Sequence, residues 1–115
     1  MINHLDKIEP LLFKGDHVRL ASMKTLINES DGFANHVMRV VDVSPGGFTP
    51  KHSHPWYHVN YFIEGNGELE IDGIITQVSP GSFSFVKENT LHQFRNTGTS
   101  LLRFICIVPK EGHKV

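Results

Sequence analysis

At 115 residues, the chain is sized for one domain. With 11 Lys and Arg against 12 Asp and Glu and no block of either sign, it offers no footprint for nucleic acid, and no apolar run nears the ~18 residues that span a membrane. Its one cysteine, Cys106, excludes an internal disulfide and suits a reducing cytoplasm.

Residues 1–16 are mixed, with Leu5, Ile8, Leu11, Leu12 and Phe13 as apolar anchors, and read as an arm along the surface. Met1–Lys7 has neither the basic flank nor the apolar run of a signal peptide. The barrel-forming domain is expected over residues 17–115. Residues 18–27 are β-prone and end at the turn Asn28-Glu29-Ser30-Asp31-Gly32. Residues 37–43 are rich in β-branched side chains and should stop at Ser44-Pro45-Gly46-Gly47. A strand follows over 58–63, then an alternating strand over 68–71. Asp72-Gly73 signals a tight hairpin returning through 74–78. Ser82-Phe83-Ser84-Phe85 alternates again, with the phenylalanines expected inward. A strand carrying His92 and a last strand over 101–108, stopped by Pro109, complete the chain. No segment has a helical period. Many short strands separated by Gly, Pro and Asn turns mean a sandwich or barrel, and 39% hydrophobic residues with eight Phe supply its core.

Chemistry concentrates in Lys51-His52-Ser53-His54-Pro55-Trp56-Tyr57-His58. His52 and His54 are two apart, so on extended chain both rings leave the same face. His58 follows a short turn, and His92 comes from a later strand. Four imidazoles gathered inside a barrel would lose hydration and repel one another once protonated. A divalent ion removes both problems, and this layout suits one. His4, His17, His36 and His113 read as surface or satisfied histidines, with His113 solvated.

These residues also carry a resemblance. Gly46, His52, His54, His58 and Gly65 follow the first motif of the cupin superfamily, and Gly81 through His92 to Asn96 follows the second. A typical cupin has glutamate where this chain has His58, so it resembles the small four-histidine, single-domain manganese-binding cupins. Lys87 and Asn89 replace the customary proline and glycine of the second motif. The resemblance spans about residues 18–112. It implies an all-β cupin jelly-roll barrel (a double-stranded β-helix) holding one divalent metal on His52, His54, His58 and His92. Manganese is the metal it suggests, with iron next; imidazole donors alone do not choose among Mn, Fe, Co, Ni, Cu and Zn.

Around such a centre, Phe48, Trp56 and Phe104 are expected as apolar walls, and Phe94 as core. Cys106 shares a strand face with Phe104. Arg39 either reaches the pocket or faces solvent. Nothing in the sequence positions the hydroxyls of Tyr57 and Tyr61, and Asn96 reads as a turn support. Four neutral ligands leave the ion its full charge and leave no carboxylate to move protons, which favours a metal-dependent oxygenase on a small organic molecule. A non-redox isomerase or lyase acting on a sugar acid, and a small-ligand or metal-binding cupin without catalysis, are the alternatives. Apolar residues on both faces of 101–108 predict a homodimer.

Overall fold

The computed structural model describes residues 1–113; the last two residues of the expected barrel domain lie outside them. Among the described residues nine antiparallel strands form one curled sheet: β1 (Leu11–Leu12), β2 (Arg19–Ile27), β3 (His36–Phe48), β4 (His58–Glu64), β5 (Gly67–Ile71), β6 (Ile74–Val78), β7 (Phe83–Val86), β8 (His92–Arg95) and β9 (Leu102–Pro109). The strands run β6-β5-β8-β3-β9-β4-β7 across the sheet, with β2 on β3 and β1 on β2. This non-sequential order is the jelly roll. Among the described residues the helical segments are three single 3-10 turns: Leu5–Lys7, Glu29–Asp31 and Lys110–Gly112.

Local chemistry explains the joints. Asp72 and Gly73 both take positive φ (49° and 82°), as the two central residues of a type I′ hairpin must. Gly65 has φ +81°, and a Cβ there would collide with the Leu101 carbonyl, so the turn after β4 admits only glycine. Asn96 holds the neighbouring turn: its Nδ2 donates to the Val43 and Ser100 carbonyls, and its Oδ1 accepts from Gly98 N–H.

β3 is longer than its sequence suggests. The turn-like Ser44-Pro45-Gly46-Gly47 does not end it, because these residues change partners instead. Upstream, Val43 pairs with Leu102 of β9; downstream, Asn96 N–H bonds the Gly47 carbonyl and Thr49 N–H bonds the Phe94 carbonyl, on the β8 side. The glycines bend the strand across from one neighbour to the other.

Inward residues stack in rows across β3, β9 and β4. Val41, Phe104 and Phe62 stand in register as one row, and Arg39, Cys106 and Asn60 as the next. The first row belongs to the core, with Phe62 and Phe104 fully buried and their rings 5.0 Å apart. Phe94 stacks on Phe104 at 4.3 Å.

The expectation for β7 is overturned. Phe83 and Phe85 are 82% and 57% exposed. Register decides this: Ser84 lies opposite the buried Asn60 of β4, so the serine faces inward and the phenylalanines outward, opposite Tyr61 and Val59. Ser84 Oγ donates to Asn60 Oδ1 at 2.9 Å.

Candidate metal centre

Backbone pairing assembles the histidines. His52 and His92 form an isolated antiparallel bridge, exchanging N–H···O bonds of 3.1 and 3.0 Å. Their side chains therefore stand opposite each other, with ring centroids 5.0 Å apart. The segment before His52 is tied down by Lys51, whose Nζ lies 2.8 Å from Glu70 of β5. His54, two residues on, brings its ring within 5.0 Å of His52 and 4.9 Å of His92. His58, the first residue of β4, points inward and is 4% exposed.

His52, His54 and His92 offer ring nitrogens that all lie within 4.8 Å of one another, a cluster able to hold a metal ion. His58 adds a fourth nitrogen: its Nε2 is 3.2 Å from His92 Nε2. Hydrogen bonds on the far side of the rings decide what those nitrogens carry. His54 Nδ1 faces the Trp56 carbonyl at 2.8 Å and His92 Nδ1 faces the Thr90 carbonyl at 2.9 Å. Carbonyls only accept, so both Nδ1 atoms bear hydrogen and both Nε2 atoms are bare. His58 Nδ1 donates likewise to Asn60 Oδ1 at 3.0 Å. Two lone pairs then meet head-on between His58 and His92. That contact is repulsive unless a cation lies between them. Nitrogens bound to one ion at about 2.0–2.1 Å sit roughly 2.9 Å apart at a right angle and about 3.4 Å apart at the tetrahedral angle, and the observed 3.2 Å falls between. The donor set fits a divalent transition metal.

Electrostatics keep the rings ready for one. Burial, then the neighbouring His92 and His54, pulls His58 down to about 3. Burial also lowers His92 to about 4, and burial with His54 lowers His52. Neutral imidazole is the ligating form, so these groups need shed no proton near neutrality.

The cluster opens onto a cavity of about 450 Å³. Arg39, Trp56, Phe104 and Cys106 line it, while Phe48 does not. The buried Thr49 turns inward, so its neighbour Phe48 projects to the other side, where it is half-buried. Trp56 stacks flat on His54, at 4.7 Å and 9°. Phe94 belongs to both places, buried in the core and lining the cavity beneath His58 and His92. Arg39 turns inward, and its Nη2 lies 3.2 Å from Cys106 Sγ. Among the described residues, none that lines the cavity is acidic.

Tyr57 hydrogen-bonds His36 Nε2 at 2.9 Å, and Tyr61 is 49% exposed on the outer face, so neither hydroxyl lines the cavity. His113 is half-buried rather than solvated, its Nε2 3.3 Å from Thr25 Oγ1, because the last 3-10 turn folds back over the barrel.

Sequence reasoning missed Phe13, Val41, Thr49 and Gly112 as lining residues. Val41 was within reach, two residues from Arg39 on one strand. Gly112 carried no signal: a Cβ there would run into the Trp56 indole, a contact between residues 56 positions apart.

A family model described as Cupin domain matches residues 39–108. Over 77 residues the chain is 27% identical to 1-methylthio-D-xylulose 5-phosphate methylsulfurylase of Rhodospirillum rubrum, covering 67% of this chain and 49% of that protein. It thus spans about half the length of that curated relative. Among solved structures it is similar to the polyketide cyclase RemF of Streptomyces resistomycificus, with TM-score 0.87 and 27% identity over 95% of this chain and 78% of that one. A cupin-2 domain from Rhodospirillum rubrum superposes with TM-score 0.86 at 22% identity, over 99% of this chain and 77% of that one.

Proposed function

This chain belongs to the cupin family, and from that premise we propose that it is a mononuclear metal-dependent oxygenase acting on a small organic molecule. The observation that carries the reading is the head-on approach of two bare ring nitrogens, His58 Nε2 and His92 Nε2, beside those of His52 and His54. In this reading all four histidines hold one divalent ion, manganese first and iron second. A bound ion would supply Lewis acidity and redox capacity where these histidines line the cavity.

The protein's own residues do the rest. Asn60 and the Trp56 and Thr90 carbonyls hold three of the rings in the ligating tautomer. Phe94, Phe104 and Trp56 present apolar walls that seat a hydrophobic body and exclude water. Among the described residues the lining has no Asp or Glu, so none of them is placed as a strong general base, and reactivity falls to the metal.

Similarity to a polyketide cyclase favours a second reading, non-oxidative Lewis-acid chemistry on a carbonyl substrate. The test is oxygen uptake by protein loaded with manganese, iron or zinc, across diketones, enols and alkenes. The oxygenase reading expects turnover with manganese or iron in air, and none with zinc or under argon. Oxygen-independent turnover supported by zinc replaces it with the second reading.

We also read residues 1–16 as an arm, residues 17–115 as the barrel and the working form as a cytoplasmic homodimer. Support for the dimer is the outer face of β4, β7 and β9, where Val59, Tyr61, Phe83 and Phe85 are exposed beside half-buried Ile105 and Ile107. A monomeric mass by light scattering at micromolar concentration overturns it.

A further inference from the structure

We propose that the cavity contains a second binding determinant, a carboxylate subsite at Arg39, so that its ligand is a small apolar carboxylate. The proposal deepens the reading of the histidine cluster as the reaction centre and rests on it for function, but not for binding.

The subsite arises from one cross-strand row. Thr25 of β2, Arg39 of β3, Cys106 of β9, Asn60 of β4 and Ser84 of β7 are successive register partners. Directly opposed residues share a sheet face. A polar belt therefore crosses five strands, just above the aromatic row of Phe62 and Phe104. His58 stands two residues beyond Asn60 on β4, one pleat repeat of about 7 Å higher.

This belt has more donors than acceptors. Among the described residues, the buried side-chain nitrogens without a hydrogen-bond partner are Arg39 Nε, Asn60 Nδ2 and His113 Nδ1. The first two lie in the row, and His113 is bonded to its Thr25. Arg39 Nε and Asn60 Nδ2 always carry hydrogen. Buried donors left unanswered are costly, and natural proteins rarely keep them without a reason.

Among the described residues, Arg39 is also the one permanently charged residue lining the cavity, and no Asp or Glu answers it there. Its contact with Cys106 Sγ pairs it with a weak acceptor. Two other strand arginines are treated differently. Arg103 grips both oxygens of Asp42, and Arg95 reaches Glu68 and Glu70. Arg39 alone of these three is turned into the cavity and has no carboxylate partner among the described residues.

An oxyanion on the ligand completes it. A carboxylate fits better than a phosphate, because phosphate sites gather several donors, through lysines, backbone nests or helix N-termini. This cavity offers one guanidinium among aromatic walls. A planar carboxylate takes two parallel bonds from a guanidinium, leaving the ligand's apolar body against Phe94 and Phe104.

Trp56 is the only tryptophan and lines the cavity, so its fluorescence reports occupancy. Benzoate, benzamide and phenyl phosphate are titrated into the full chain, both manganese-loaded and stripped by chelator. Benzoate should bind the stripped protein at least about tenfold more tightly than benzamide. Arg39→Met should erase that preference, and Arg39→Lys should restore part of it. Equal binding of benzoate and benzamide by the stripped wild type overturns the subsite, without using any variant. Tighter binding of phenyl phosphate overturns the carboxylate assignment. A preference for benzoate seen only with manganese, and unchanged in Arg39→Met, leaves the metal reading standing and removes this one.

Discussion

Two rows of inward residues on β3, β9 and β4 lie one register step apart and behave as different materials. Val41, Phe104 and Phe62 are apolar core, with Val41 and Phe104 also forming the floor of the cavity. Arg39, Cys106 and Asn60, with the same strands and the same orientation, hold a guanidinium, a thiol and a carboxamide. The backbone does not distinguish them. Their difference teaches that facing inward in this barrel makes a residue part of an apolar core at one level and of a polar belt at the next, depending on the groups that the neighbouring strands set beside it.

Breaking the lower row should have the largest effect. Phe62→Ala removes a fully buried ring packed on Phe104 and should cost about 3–5 kcal/mol in denaturant unfolding. The folded fraction should still bind one metal ion per chain; loss of stoichiometry in folded protein would show that the rows are not separable.

Breaking the metal level comes next. His92→Ala should abolish stoichiometric metal uptake by elemental analysis. In wild type, manganese at a hundred times its dissociation constant should add about 2.7 kcal/mol of stability, seen as a melting temperature that falls on adding chelator. The same chelator should leave His92→Ala unmoved. A wild-type melting temperature indifferent to chelator would refute the site.

Acid sharpens the contrast within stripped protein. His58, His92 and His52 have folded values below the ordinary 6.5, chiefly through burial. On acidification the unfolded chain takes up their protons first, so stability is full above about pH 6.5 and lost progressively as the pH falls toward 4 for His92 and toward 3 for His58. Each fully titrating group contributes a slope of roughly 1.4 kcal/mol per pH unit. Chemical unfolding of stripped protein from pH 7.5 to 4.5 measures it, and a flat profile would mean the rings are hydrated in the folded state.

The outer face should respond least. Phe83→Ser with Phe85→Ser alters exposed side chains and should change unfolding free energy per chain by less than about 0.5 kcal/mol at each position. The proposed dimer should nevertheless dissociate in light scattering. Unchanged mass would locate any self-association elsewhere.

What the amino-acid sequence determined on its own was local. The two-residue spacing of His52 and His54 places both rings on one face of extended chain, whatever the fold. Asp72-Gly73 closes a hairpin because both must take positive φ. Strand identity followed from β-branched runs between turn residues. Together with the motif resemblance, that was enough for the cupin barrel and for the histidines as candidate ligands.

What only the tertiary structure decided is which face each strand turns inward and which distant groups meet. Ser-Phe-Ser-Phe has the same period in either register, so only Asn60, lying opposite Ser84, sends the phenylalanines out. Arg39 is set beside Cys106 by pairing between residues 67 apart, and Gly112 closes on Trp56 across a similar span. Periodicity along a chain specifies that side chains alternate; the partner strand, through its register and its buried polar groups, specifies which alternate set meets the cavity.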